Sequence, residues 1–487
     1  MLKKIIYAVL IVLSVYGCYS ISSQNEASNE PPAYPMLTQK QMEEDLDLLV
    51  KELEQKHAGL YRYQAQPSWK KHVKLCRKNL QKPHNLLEFH KTIHRLVRPI
   101  RCGHTRVKLP DEFVEKYQQN KLFFPLQLKF IEGKALVVKD LSRHPKLKKG
   151  DQILSINGQN LDKIISEIQE YTSGLADGFN QTGQLRVIEQ HFASFYAVFL
   201  DDSEEFELNF RPYKAQKPKK IQIKGIKLIQ NEVTNPPANI PLKLDLIDDL
   251  KLGILKLSSF DPQIFEKYHI DFPSSIRAVF QKLYQAQSTH LILDLRGNTG
   301  GDLLHLLVFL SYVIDEPFKV FEKIEANPNQ KDSLQPQKPF KIPSGSVNFI
   351  FKMQTIPHTL CFRGQIVVLT DGLTFSAASV AAALIKSHQS GILLGEESGG
   401  AYLGNNSGIL SSIKLPNSSI TVRIPMWYYA NAVRKIPQSS SGVIPDFAIQ
   451  QNAQDFQEDV DTVMKAAIAM IREKKDIHLS LPLHKRS

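Results

Sequence analysis

Two segments of this chain leave little freedom in how it can fold. His290-Leu291-Ile292-Leu293-Asp294-Leu295 and Gly364-Gln365-Ile366-Val367-Val368-Leu369-Thr370 are nearly unbroken apolar runs of strand length. Such runs belong in the middle of a sheet whose two faces are both covered. Each runs into a glycine-bearing turn: Arg296-Gly297-Asn298-Thr299-Gly300-Gly301-Asp302 after the first, Asp371-Gly372-Leu373-Thr374-Phe375-Ser376 after the second. The second turn opens an Ala-rich helix from Ser376 to Ser387. A strand at Leu252–Leu257, a helix expected over about 263–286 and a strand closing at Gly391–Gly395 complete an alternation that builds a sheet with crossover helices.

The turns are where chemistry is expected. Glycines after a buried strand permit a tight turn and leave backbone N–H groups facing outward, able to bind phosphate or a developing oxyanion. The GxGxxG pattern and the Lys-Ser/Thr of a P-loop are both absent, which argues against a nucleotide. Ser376 stands at a strand-to-helix turn, with the next N–H facing the same space and a helix N-terminus adding positive potential. That is the logic of a nucleophile elbow, although G-x-S-x-G itself is missing. Taken alone, a serine here reads equally as a helix cap.

With 487 residues, 42% of them hydrophobic, the chain has material for two or three domains. Met1-Leu2-Lys3-Lys4, the apolar run Ile5–Val15 and Gly17-Cys18 describe an export signal over 1–17, followed by a cysteine placed as in a bacterial lipobox. Cys18 is then the expected lipid anchor to a membrane in the cell envelope, and 18–36 a flexible tether. Thr38 offers an N-cap ahead of Met42, Leu46, Leu49 and Leu53 at helical spacing. Further helices are expected over about 66–80 and 84–97, so 37–115 reads as a helical N-terminal region. Residues 116–213 change to short apolar runs, 214–250 read as a connector rich in Lys, Pro and Asn, and 251–475 hold the α/β domain. The polar stretch 322–360 is long enough to suggest a functional loop. The net charge of +12 comes from lysines scattered along the chain; no zinc-finger spacing, basic-region helix or RNA-recognition signature accompanies it, which argues against nucleic acid. The four cysteines, Cys18, Cys76, Cys102 and Cys361, show no metal-binding spacing, and no cofactor or metal is expected.

Lys149-Gly150-Asp151-Gln152-Ile153-Leu154-Ser155-Ile156-Asn157-Gly158 resembles the core of a PDZ module, whose use is to grip a peptide terminus by strand addition. Asp294-Leu295-Arg296-x-Asn298-x-Gly300-Gly301 followed by Thr374-Phe375-Ser376-Ala377-Ala378 resembles the catalytic core of the tail-specific (C-terminal-processing) proteases and the tricorn core peptidase. Gly395-Glu396-x-Ser398-x-Gly400 and Gly442-Val443-Ile444-Pro445-Asp446 extend the likeness. The resemblance implies an α+β multidomain protein: a helical N-terminal region, a PDZ-like module and an α/β catalytic domain of the ClpP/crotonase kind. It implies a serine peptidase acting on peptides or proteins, with Ser376 as nucleophile and the amides of Gly300 and Ala377 as oxyanion hole. Ser-Lys members carry a lysine where Ala401 stands here, and Lys386 reads as a solvated helix lysine. The His-containing branch places its base before the PDZ part, and Ile100-Arg101-Cys102-Gly103-His104-Thr105-Arg106 resembles that site, so His104 is the implied general base. Two departures stand out: Gly103 replaces the serine before that histidine, and Ser439-Ser440-Ser441 stand where a glutamate orients it. Asp446 and Glu397 are weak candidates for that third role. The alternative is a catalytically silent ligand- or peptide-binding protein on the same fold.

Overall fold

The structure, a computed structural model, describes residues 35–172, 174, 176–227, 240–327, 353–434 and 441–473. The export signal, Cys18, nearly all of the tether and most of 322–360 lie outside the described residues.

The helical region begins with α1 (Gln39–Lys56). The Thr38 hydroxyl accepts from the Gln41 N–H while the Gln41 side chain accepts from the Thr38 N–H, a reciprocal capping box. Met42, Leu46, Leu49 and Leu53 form its buried stripe. After α2 (Gln66–Lys78) and α3 (Leu86–Val97), a short 3-10 turn ends at Arg101 with φ 52°. The chain then passes through Cys102–Thr105 into β1 (Arg106–Lys108) and α4 (Asp111–Asn120).

The next unit is an antiparallel sheet in the order β2 (Leu126–Ile131), β3 (Lys134–Asp140), β4 (Gln152–Ile156), β5 (Glu205–Arg211), β6 (Lys219–Lys224). Between β4 and β5 lie α5 (Leu161–Thr172) and α6 (Gln181–Phe199), and α6 packs on β2. The sheet therefore extends past 213 into the stretch expected to be a connector. β6 was hidden by composition: lysines hold its exposed positions while Ile221 and Ile223 alternate inward. The apolar core of this sheet is continuous with that of the N-terminal helices.

The α/β part comprises β7 (Leu242–Ile247), β8 (Leu252–Leu257), α7 (Pro262–Lys267), α8 (Phe272–Gln285), β9 (His290–Asp294), α9 (Leu303–Leu310), β10 (Phe321–Ala326), β11 (Gln365–Thr370), α10 (Ala377–Ser387), β12 (Ile392–Gly395), β13 (Gly404–Lys414), β14 (Thr421–Asn431), β15 (Phe447–Ala448) and α11 (Thr462–Arg472). The helix expected over 263–286 is two helices. His269 turns at φ 55°, and Asp271 caps the second, with a proline in its first turn. The main sheet runs β7-β8-β9-β11-β12-β15, parallel except for β7. The two apolar strands that dominate the sequence, β9 and β11, are neighbours in it, paired from His290↔Gln365 to Asp294↔Leu369. Their glycine turns therefore emerge side by side at the carboxyl edge, where open α/β sheets place their sites. A second sheet, β10-β14-β13, lies beside it, and β1 joins that sheet through Arg106↔Arg423 and Val107↔Val422. This pairing draws the N-terminal loop 102–105 onto the C-terminal half of the chain.

Candidate active site

The charges of the first turn hold the scaffold together. Asp294 accepts from the Arg296 backbone N–H (3.0 Å) and from its Nε (2.9 Å) and NH2 (3.0 Å), and Arg296 reaches on to Asp461. Burial pushes the Asp294 carboxyl up, but its bonds and charge pairing with Arg296 and Lys256 leave it below the usual range. Asn298 donates to the Leu257 carbonyl (3.0 Å) and accepts from the Gly300 N–H (2.8 Å). The turns are stitched to each other by Asp371, whose Oδ1 accepts from the N–H groups of Gly297 and Thr374.

Ser376 leaves β11's turn with φ 51° and ψ −125°, a conformation that L residues avoid. It occupies the N-cap position of α10, yet its hydroxyl makes no capping bond. The hydroxyl instead meets His104, whose Nε2 lies 3.2 Å from Ser376 Oγ across 272 residues of sequence. Three features hold the imidazole there. β1 pairs with β14 just beyond it, Arg423 Nε donates to the His104 carbonyl (3.1 Å), and the ring lies on Phe375 at 4.7 Å between centroids. The residue before it is Gly103 for a steric reason: a Cβ there would come within 2.5 Å of the Phe375 ring.

The amides around Ser376 differ from the expectation in one respect. The Gly300 N–H, expected in the oxyanion hole, donates to Asn298 inside its own loop. Gly301 is the next amide. In its bridge with Phe260 the hydrogen bonds run from Phe260 N–H to the Gly300 carbonyl and from Asp302 N–H to the Phe260 carbonyl, so the bridge leaves the Gly301 N–H unused. Gly300 still has to be glycine: its φ is 98°, and a Cβ would meet Ser376 Cβ at 2.7 Å and the Ala377 nitrogen at 2.8 Å. Ala377 is the first residue of α10, so its N–H has no partner within the helix.

The weak candidates for a third group are engaged elsewhere. Asp446 binds Lys386 (2.5 Å) and the Leu393 N–H (2.9 Å); Glu397 binds Ser441 and the Gly442 N–H. Lys386 is thus a part-buried structural cation, not the solvated lysine expected, and Ala401 is buried. The His104 Nδ1 is enclosed and has no hydrogen-bond partner among the described residues, a condition that costs about 1–3 kcal/mol for a buried polar atom. Burial, then the charges of Arg423 and Arg106, hold its pKa well below the usual 6.5, so the resting ring is neutral. Nearby, Asp177 is enclosed and accepts from the Gly103 N–H (2.8 Å), with its other oxygen 3.5 Å from the Ala401 nitrogen. No sequence motif marks Asp177 or Arg423; only the folded chain brings them to the site.

Residues 251–449 match the model of Peptidase family S41. Among solved structures the chain is similar to mature CPAF, at 15% identity over 90% of this chain and 98% of that one, with a TM-score of 0.62. It is likewise similar to mature CPAF complexed with lactacystin, at 14% identity over 89% and 99% of the two chains with a TM-score of 0.62. For a mutant of CPAF the values are 13% identity over 89% and 98%, with a TM-score of 0.64. At such identities the likeness is one of fold, and it spans the N-terminal regions as well as the sheet that carries Ser376. The family match falls on the segment bearing both glycine turns and agrees with the motifs read from the sequence: residues 251–449 are those of an S41-type serine peptidase domain.

Proposed function

We propose that the protein hydrolyses peptide bonds through an acyl-enzyme on Ser376, with His104 as general base. The observation that carries this is the 3.2 Å approach of His104 Nε2 to a serine hydroxyl that sits on a strained turn and caps nothing. In the first step Ser376 Oγ attacks the scissile carbonyl while its proton passes to Nε2; in the second the imidazolium gives that proton to the leaving amine. Water then enters, gives its proton to the same nitrogen and releases the acyl group. The oxyanion faces the Gly301 and Ala377 amides at the N-terminus of α10. Each such donor contributes about 3 kcal/mol to the transition state.

The remaining parts fit a peptide-handling role. The antiparallel unit β2–β6 with α5 corresponds to the PDZ-like module, offered here as the part that grips a peptide terminus. Cys18 is proposed as the lipid attachment point that holds the enzyme on the exported face of a membrane. The test is a fluorophosphonate probe on the mature protein, with the adduct mapped by mass spectrometry. Labelling of Ser376 that falls to a slow residual rate in His104→Ala is the expected result. A folded protein that fails to label between pH 5 and 9 in the presence of peptides overturns the mechanism and favours a silent binding protein.

A further inference from the structure

Asp177 lies in the link between α5 and α6, far in sequence from both Ser376 and His104. Its backbone N–H donates to the Gly399 carbonyl (3.0 Å), and the Gly178 N–H donates to the Arg101 carbonyl (2.9 Å). The turn is thereby bound on one side to the loop that carries His104 and on the other to Gly399–Ala401, which packs against Ser376 and the helix it opens. Asp177 as a whole is 2% exposed. A carboxylate oxygen of Asp177, the Cys102 sulfur and a ring nitrogen of His104 all lie within 4.8 Å of one another. Nε2 of that ring is turned to Ser376, and Nδ1 is the enclosed nitrogen without a partner.

The ring that carries this buried, unpartnered nitrogen lies beside a buried carboxylate, and such a nitrogen calls for a connection. A span of up to 4.8 Å suits two hydrogen bonds relayed by one water. A dication is a poor alternative for this trio. Arg62 and Arg106 bear on Asp177, Arg106 and Arg423 bear on His104, and burial pushes the Cys102 thiol up to about 11.

We propose that Asp177 is the positioning residue for His104, taking the part of the glutamate that the sequence lacks. This rests on the Ser376–His104 reading above. The carboxylate receives the Nδ1–H, directly or through the water, and so fixes the tautomer that leaves Nε2 free. When Nε2 takes the Ser376 proton, Nδ1 keeps its own, Asp177 stays ionised, and the pair offsets the imidazolium charge; the Nε2 proton then leaves with the amine.

The same contact gives a pH signature. Asp177 faces Arg62, Arg106, Tyr63, Cys102, His104 and the amides of Gly103 and Ala401. Burial, opposed by those amides and guanidiniums, pushes its carboxyl up to about 6. Burial holds His104 well below its usual 6.5, and we assign the acid limb of the reaction to Asp177.

The experiment measures the rate of fluorophosphonate labelling of Ser376 from pH 5 to 9 in the mature protein and in Asp177→Asn. The amide keeps an acceptor for Gly103 N–H, so the fold is expected to survive. Labelling at pH 8 is expected to fall by about 10²–10⁴-fold, and the limb near pH 6 is expected to vanish. Adding Asp177→Asn to His104→Ala should slow the residual rate no further, because the carboxylate acts only through the ring. A single variant that labels within about threefold of the parent with the limb in place overturns the proposal, as does a further loss in the double variant. Should Asp177→Asn not fold, Asp177→Glu carries the test. A displaced limb supports the assignment and an unmoved one refutes it. If the parent itself does not label, the Ser376–His104 reading has failed and this proposal falls with it.

Discussion

Arg186→Met should weaken the molecule at the joint between its two halves. Arg186 stands on α6 and reaches Glu396, just past the end of β12, through Nε (2.8 Å) and NH2 (2.5 Å); it also binds Glu189 and the Phe130 carbonyl (3.2 Å). The three charged side chains are only 7–11% exposed. Glu396 leads directly into the Glu397–Ala401 loop beside Ser376, and Thr370 grips it from β11 by accepting its N–H and donating to its carbonyl (2.7 Å).

Removing the guanidinium leaves two carboxylates out of water without their ion-pair partner, only the charge of Lys129 still bearing on Glu189. Breaking a buried pair in this way costs about 3–5 kcal/mol, a large share of the roughly 5–15 kcal/mol that stabilises a typical domain. At about 2–4 °C per kcal/mol for a cooperative unit of 150–250 residues, the midpoint of melting should fall by roughly 6–20 °C at pH 7. The sign of the pH dependence follows from the same charges. Burial already raises the Glu189 carboxyl in the presence of Arg186. Without it, the folded variant binds protons more tightly than its unfolded chain, so its deficit relative to the parent must shrink as pH falls. Melting followed by circular dichroism at pH 7 and pH 5 decides the matter. A shift under about 2 °C at pH 7, or a deficit that grows toward pH 5, would refute the reasoning. Replacing Arg186, Glu189 and Glu396 together by Met, Leu and Met should recover most of the loss, since a well-packed apolar set replaces a buried ion cluster at little cost.

Lys386→Met should lower stability by about 1–3 kcal/mol, because it strands Asp446 and the Ile444 carbonyl. It should leave fluorophosphonate labelling of Ser376 within about twofold of the parent; a large loss of labelling would revive a lysine base. Gly103→Ser should slow labelling by about tenfold, as its Cβ drives into the Phe375 ring that supports His104. Adding Phe375→Leu should restore part of the rate, and a Gly103→Ser variant as fast as the parent would remove the steric explanation.

The sequence was most legible where local physics alone decides the outcome. The apolar runs of β9 and β11 could be little else than central strands, and the capping box at Thr38 marked a helix start by its own side chains. Two features were missed, one because its signal lies in a partner and one although its signal was local. β6 reads as a lysine-rich connector until Ile221 and Ile223 are seen to face the core. The break between α7 and α8 was written in Asp271 and Pro273, an N-cap and a first-turn proline inside an otherwise helical stretch.

The active site divides in the same way. Ser376 and the glycines announce themselves because a strained turn and a close approach restrict residue type at a single position. His104 was reachable only through resemblance, since one histidine among 15 has no local mark. Asp177 has neither mark nor family pattern behind it, for a carboxylate that acts on a ring nitrogen needs only to arrive, and arrival is set by the backbone of three separate loops. Gly103 shows what such dependence implies. The residue before the histidine and the aromatic before the serine compete for one volume, so the usual serine at 103 is excluded by Phe375, 272 positions away in sequence. The departures from the family pattern are therefore coupled: a ring that fills the space beside His104 removes the side chain at 103, and a carboxylate from the α5–α6 link lies beside the imidazole that the absent glutamate would have served.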